Sequence, residues 1–421
     1  MGEAMRARKI IVIGGGAAGM LAALFAVRGG AEVTLLERNE KLGKKVYITG
    51  KGRCNLTNVA EGEDFMRAIV RNPRFLYAAL ATLDSRGMME LMESLGVPLK
   101  VERGGRVFPV SDHASDVTNG LRRELERLGV EIRYDTRVRE LILEDSCCRG
   151  VVMSDGMKLA ADAVILCTGG LSYPTTGSTG DGYRFAEQAG HSVQRPMPAL
   201  VPIETKESWP GMLSGLSLKN VALRAWKDGG KKRKYFYDEQ GEMLFTHFGV
   251  SGPLVLTLSS RMPEDLAGVH MAIDLKPALD EATLDARLLR DFKELSRKRI
   301  GTVMDGLAPH SLGQQILLLA GISPELAVNS VTQAQRGAIL QLMKALPLTP
   351  KGTRGFEEAI VTRGGVNVKE IDPSTMESKR TKGLYFAGEV MDVDAHTGGY
   401  NLQIAFSTGA LAGSSAAEVV E

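Results

Sequence analysis

Apolar positions first gather in the β-branched run Lys9–Ile13, followed by a glycine cluster and then Ala17–Arg28, which has helical composition. Gly29-Gly30 interrupts that pattern, and Glu32–Leu36 resumes as a second strand. A strand, a helix and a strand within about 30 residues predict a β-α-β unit. Farther on, Phe65–Leu95 reads as helical, with Pro73 near the start of one helix, and Asp116–Leu128 as an amphipathic helix. Val130–Tyr134 and Val138–Leu143 read as strands, and Gly150–Met153 with Lys158–Ala160 as a hairpin. Ala163–Cys167 is an all-apolar strand of the buried type, ending in Thr168-Gly169-Gly170.

The pattern changes near Pro196. Ala199 to about Met262 alternates with turn signals and predicts a small β domain, whereas Pro277–Leu346 has helical spacing with a last helix near Gln333–Ala345. Strand character returns at Ala359–Thr362 and Leu384–Ala387, and Leu402–Ala417 closes the chain as a helix rich in small residues. The fold class read from this order is α/β. A Rossmann-type nucleotide domain (1–195 and 347–421) is interrupted by a β-barrel-like insert (196–272 with part of 330–346) and a helical insert (273–335).

Composition narrows the setting. At 421 residues the chain exceeds what one core serves, and a net charge of +2 gives no general pull on polyanions. The basic run Lys231-Lys232-Arg233-Lys234 reads as a solvated hairpin tip with no interleaved aromatic platform, which argues against a nucleic acid partner. Cys54, Cys147, Cys148 and Cys167 form no CxxC pair, so neither a disulfide framework nor a metal site is expected. With no apolar run of membrane-spanning length and a short polar start, the expectation is a cytoplasmic protein.

The sharpest chemical signal is Gly14-Gly15-Gly16-Ala17-Ala18-Gly19, a G-x-G-x-x-G between a strand and a helix, with Glu37 ending the next strand. The motif needs that context: Gly14 for the tight turn, Gly16 for backbone approach to a pyrophosphate, Gly19 for helix–strand packing. The helix start beside Ala18 offers N–H donors to phosphate, and Glu37 is placed to accept from ribose hydroxyls while repelling a 2′-phosphate. FAD and NAD remain, and the distal segments favour FAD. Leu384–Ala387 runs into Gly388-Glu389, read as a ribityl-binding pair, and His396–Asn401 leads a helix whose N-terminus would face the flavin. Thr168 and Gly169 end another strand near the cofactor.

These stretches, with Thr49–Asn58, Thr168–Gly182, Phe245–Pro253, Thr362–Ser378 and Gly383–Thr408, resemble the YhiN/BaiN-like (aminoacetone-oxidase-type) NAD(P)/FAD-dependent oxidoreductases over essentially the whole chain. The resemblance implies a glutathione-reductase-like FAD domain made from both chain ends, with a barrel-like and a helical insert. It implies FAD held near Gly16, Glu37, Arg38, Arg53, Cys54, Asn55, Val138, Thr168, Gly388, Glu389, Asn401 and Leu402, with Gly399 beside them.

For the chemistry, the flavin carries the hydride and the protein binds and tunes. His247, His396 and Arg363 are the candidate acid, base or anion-holding side chains. Cys54 reads as a packed small residue, since no resolving cysteine stands beside it. Lacking a second dinucleotide motif, the chain would take electrons from NADH or NADPH docking transiently, or from the substrate itself. The expected activity is an FAD-dependent oxidoreductase acting on a small organic molecule. The rivals are a flavin-dependent RNA-modifying protein and a flavin-binding protein without turnover.

Overall fold

The computed structural model describes residues 6–229 and 233–418. The fold divides at Ala199/Leu200 and Gly355/Phe356 into two compact units.

The first unit is built on a five-stranded parallel sheet ordered Leu384–Phe386, Ala163–Leu166, Lys9–Ile13, Glu32–Leu36, Glu131–Arg133. Its central strands are continuous apolar runs because both faces are covered; Ile10 to Ile13 and Ala163 to Leu166 are all buried. One covering element is the Ala17–Arg28 helix, and the Tyr400–Ala417 helix packs directly on it. The small residues of that last helix are explained here. A Cβ at Gly409 would sit 2.3 Å from the Ala18 carbonyl oxygen, and one at Gly413 2.2 Å from that of Ala22. Glycine is therefore what lets the two ends of the chain meet backbone to backbone.

The predicted helical stretch 65–95 is broken into Gly62–Ala68, Tyr77–Thr82 and Ser85–Ser94. The break falls where Asn72 adopts φ 52° ahead of Pro73, a residue pair that cannot continue a helix. Asp84 restarts it by accepting from the Gly87 N–H at 2.7 Å. Val138–Glu144, Cys147–Met153 and Lys158–Ala160 form an antiparallel sheet, so the expected hairpin gains a third strand.

The second unit holds a seven-stranded antiparallel sheet ordered Leu346–Leu348, Val269–Asp274, Ser217–Lys227, Tyr235–Thr246, Gly249–Ser251, Ile203–Thr205, Pro350–Thr353. Its first and last strands are consecutive in the chain around Thr349, so the sheet curls until its ends meet, barrel-fashion. Residues 346–353, which the sequence pattern groups mainly with the nucleotide half, thus belong to this sheet. The helices Glu281–Glu294, His310–Leu319 and Gln333–Lys344 share one core with it, from Leu223 and Phe245 to Leu284, Ile316 and Met343.

One reading needs correction. An aromatic row does flank the basic run: Trp226 pairs across strands with Tyr235 and His270, ring centroids 5.8 and 5.5 Å away, and the Arg233 guanidinium lies 4.1 Å over the Trp226 ring. Cross-strand pairing, which links residues far apart in sequence, assembled it. Lys231 and Lys232 lie outside the described residues.

Candidate functional site

The opening turn is shaped by contacts that exclude side chains. Gly14 has φ 100°, and its N–H donates to the Leu36 carbonyl at 2.8 Å; a Cβ on it would lie 2.6 Å from the Cys167 oxygen. A Cβ on Gly19 would lie 1.8 Å from the Gly14 oxygen, so this glycine lets the helix press on the turn. Gly16 differs: a Cβ there meets nothing within 4 Å. It is the N-cap of the Ala17–Arg28 helix and provides no side-chain cap, leaving N–H groups and the positive dipole end facing open space.

Glu37 is buried and accepts three N–H bonds: Gly15 N–H to Oε2 at 2.7 Å, and the backbone and side-chain N–H groups of Asn39 to Oε1 at 2.8 and 2.7 Å. Burial pushes its carboxyl upward, while the Asn39 and Gly15 bonds pull it back. A carboxylate has about four acceptor directions, so one remains for a ribose hydroxyl. Arg38 turns to the Gly177–Asp181 loop, donating to Thr179 Oγ1 at 2.6 Å and Asp181 Oδ2 at 3.1 Å. It therefore docks that loop on the nucleotide side.

Two buried polar atoms at this site lack a hydrogen bond, Thr168 Oγ1 and Asn55 Oδ1. Such atoms are rare in folded proteins and ask for a ligand or water. With the empty space at Gly16 and the uncapped helix end, they fit a dinucleotide: Gly14–Gly19 for the pyrophosphate, Glu37 for ribose, Thr168 and Asn55 for polar groups farther along. Val138 is buried at the start of its strand, opposite Met153, so what it can offer is backbone. Gly169 has φ 70°, and a Cβ on it would lie 2.9 Å from Ser178 Oγ.

Gly388 (φ 77°) makes its close approach to Ala18, with a would-be Cβ 2.8 Å from the Ala18 Cβ. Glu389 is a crosslink. Its Oε1 accepts from Ser172 Oγ at 2.7 Å and the Thr362 N–H at 2.9 Å, and its Oε2 from Lys45 Nζ at 2.7 Å. Lys45 lies outside every stretch singled out in the sequence, and Ser172 and Thr362 lie inside two of them with no local signal of this role, so sequence reading assigned none of the three. Asn401 pins the preceding loop: its Oδ1 accepts from the Ala395 N–H at 2.9 Å and its Nδ2 donates to the Ala395 carbonyl at 2.8 Å. Gly399 (φ 102°) caps the helix with no room for a side chain beside the Thr57 carbonyl, and Leu402 is half-buried on the first turn.

Arg53 stacks on Phe108 at 4.2 Å and pairs with Glu102 and Asp112, so two carboxylates compensate its charge. Cys54 is fully buried with φ 60°, and burial pushes its thiol up to about 12. A thiol held there supplies almost no thiolate near neutrality. His396 is half-buried, and its backbone N–H donates to the Ala68 carbonyl at 2.8 Å. Arg363 is buried in the strand Val361–Val366, with Nη2 3.4 Å from Met197 Sδ. His247 belongs to the second unit, exposed in the turn after Tyr235–Thr246.

A family model described as the HI0933-like protein Rossmann domain matches residues 8–415. The chain belongs to this family. Among curated relatives, a 3-dehydro-bile acid delta(4,6)-reductase of Clostridium scindens is 34% identical over 97% of this chain and 99% of its own length. Two proteins named ribosomal RNA dihydrouridine synthase, from Haemophilus influenzae and Escherichia coli, are 31% and 30% identical over 94% of this chain and 96% and 95% of their own. No described helix of this family member is long and apolar enough to cross a membrane.

Proposed function

We propose that this protein reduces a carbon–carbon double bond conjugated to a carbonyl in a small organic molecule, with NADH or NADPH as a transiently docking donor. The observation that carries the flavin part is the convergence of the open, uncapped Gly16 turn with the unsatisfied Thr168 and Asn55 in one unit. The bond type comes from the relatives' names. A 3-oxo steroid with a Δ4 bond and the uracil ring that becomes dihydrouridine both present a C=C beside a C=O. When bound, FAD supplies the hydride for the β-carbon of such a bond. The chain's tasks are to orient the carbonyl and deliver a proton at the α-carbon. Arg363 and His396 are our candidates in the flavin unit, and His247 in the inserted unit. A cytoplasmic setting, where nicotinamide donors are at hand, belongs to the same proposal.

RNA is the second reading, favoured by the Trp226–Tyr235–His270 row beside the basic run and by the names of two relatives. Anaerobic mixing of the yellow protein with NADH and NADPH, then with a panel of 3-oxo-4-ene steroids and simpler enones, separates the readings. Flavin bleaching followed by enone-dependent recovery is expected. Failure of every enone to restore the flavin colour, alongside restored dihydrouridine in ribosomal RNA of a strain lacking such an enzyme, would overturn the small-molecule reading.

A further inference from the structure

Asp394 is 1% exposed, and neither of its carboxylate oxygens accepts a hydrogen bond. Its neighbour Asp392 is also buried, with Oδ1 lacking a hydrogen bond. The cation nearest Asp394 among the ion pairs is Arg71, whose Nε stands 3.5 Å from Oδ1, outside hydrogen-bonding geometry, and whose Nη1 stands 3.8 Å from Asp392 Oδ1. Asp392, Arg363 and Glu389 also act on Asp394 electrostatically. A buried carboxylate without donors is costly, and a second carboxylate beside it raises the cost, so the carboxyl favours its neutral form. Burial, opposed by Arg71, accordingly pushes Asp394 up to about 7.

The position gives this group a consequence. Asp394 is held by its own carbonyl, which accepts from the N–H groups of Val70 and Arg71 at 2.8 and 3.3 Å. The next residue, Ala395, is clamped through both its N–H and its C=O by Asn401, in the first turn of the Tyr400–Ala417 helix. Toward solvent lies Arg71, whose side chain is 40% exposed. The carboxyl thus belongs to the segment tied to the helix start that our functional reading directs at the flavin, with the half-exposed Arg71 beside it.

We propose that Asp394 is a redox-linked proton site, which binds a proton when the cofactor gains electrons and releases it when they leave. The inference rests on the flavin placement above, not on the identity of the acceptor. On reduction the carboxylate takes H⁺ from solvent past Arg71 and Asp392, forming one O–H bond and exchanging no electrons. On reoxidation a hydride goes to the β-carbon of the acceptor, and the proton released from Asp394 balances the one the α-carbon gains.

The test counts protons. The holoprotein is photoreduced at pH 8 in weakly buffered indicator dye, with neither nicotinamide nor enone present. Wild type is expected to take up roughly one proton more per flavin, at most, than Asp394→Asn, with Asp394→Glu restoring the uptake. Arg71→Met, which removes the opposing cation, should move the extra uptake to higher pH. Infrared spectra of the wild type should show a carboxyl C=O band, from a group without hydrogen bonds, that bleaches as pH rises through neutrality. Equal uptake in wild type and Asp394→Asn would overturn the proposal. If that variant does not fold, an Arg71→Met profile identical to wild type, or no titrating band, would do so. A protein that takes up the extra proton yet reduces no enone would leave this inference standing and remove the proposed substrate.

Discussion

Two buried carboxylates, Glu37 at the opening turn and Asp394 in the closing segment, receive opposite treatment. Three N–H donors meet the first, and no hydrogen bond meets the second. The opening turn uses its carboxylate as a fixed strut, tying Gly15 to Asn39 so that the helix end stays aimed at open space. The closing segment leaves a carboxyl free to change charge. Where a site must only hold a ligand, donors are supplied in advance; where charge must come and go, they are withheld.

Breaking the opening turn should have the largest effect. Gly19→Val would drive a side chain into the Gly14 carbonyl, and we expect either no soluble flavoprotein or a Tm lower by more than about 10 °C. Gly16→Val, made in open space, should leave Tm within about 2 °C yet lower the bound flavin at least about fivefold, read from absorbance per chain. If Gly16→Val retains its flavin, the phosphate is not at that helix end. Glu37→Ala strands three N–H groups and should cost on the order of 2–4 kcal/mol in urea unfolding, with weaker flavin retention.

Asp394→Asn sharpens the other side of the comparison through pH. The folded carboxyl titrates near 7 against an ordinary 3.8, so between those values the folded state holds more protons than the unfolded one. Stability then falls as pH rises through that window, and the loss is complete above about 7. The variant should lack this fall and be the more stable form at pH 8, by a few kcal/mol at most. A wild-type stability curve parallel to that of Asp394→Asn from pH 4 to 8 would show an ordinary carboxylate. The smallest effect belongs to Cys54. With its thiol near 12, iodoacetamide at pH 8 should not label it in the native protein, and Cys54→Ala should leave the rate of flavin reduction unchanged.

Much of the first unit could be read in advance because its signals are local. A strand, three spaced glycines, a helix and an acidic residue occupy one stretch of chain, and steric exclusion at Gly14 and Gly19 acts within it or on the adjacent strand. The apolar runs of the parallel sheet and the small-residue helix 400–417 announced themselves for the same reason. What local pattern could not give is any feature made by residues brought together from distant stretches. Glu389 could be picked out because it follows a strand and a glycine, whereas Lys45, Ser172 and Thr362 reach its carboxylate only through folding. Arg53 stood out in the Thr49–Asn58 stretch, but Glu102 and Asp112, which pair with it, reach it only through folding. Trp226, Tyr235 and His270 became a row only through strand pairing. Asp394 lies within the Gly383–Thr408 stretch but nothing local marks it, since its chemistry lies in the hydrogen bonds that the surrounding fold withholds. The sequence by itself determined where a dinucleotide can approach the backbone, because that depends on which residues lack a side chain. The tertiary structure decided which charges are held fast and which can change, because burial and partners are properties of the assembled interior.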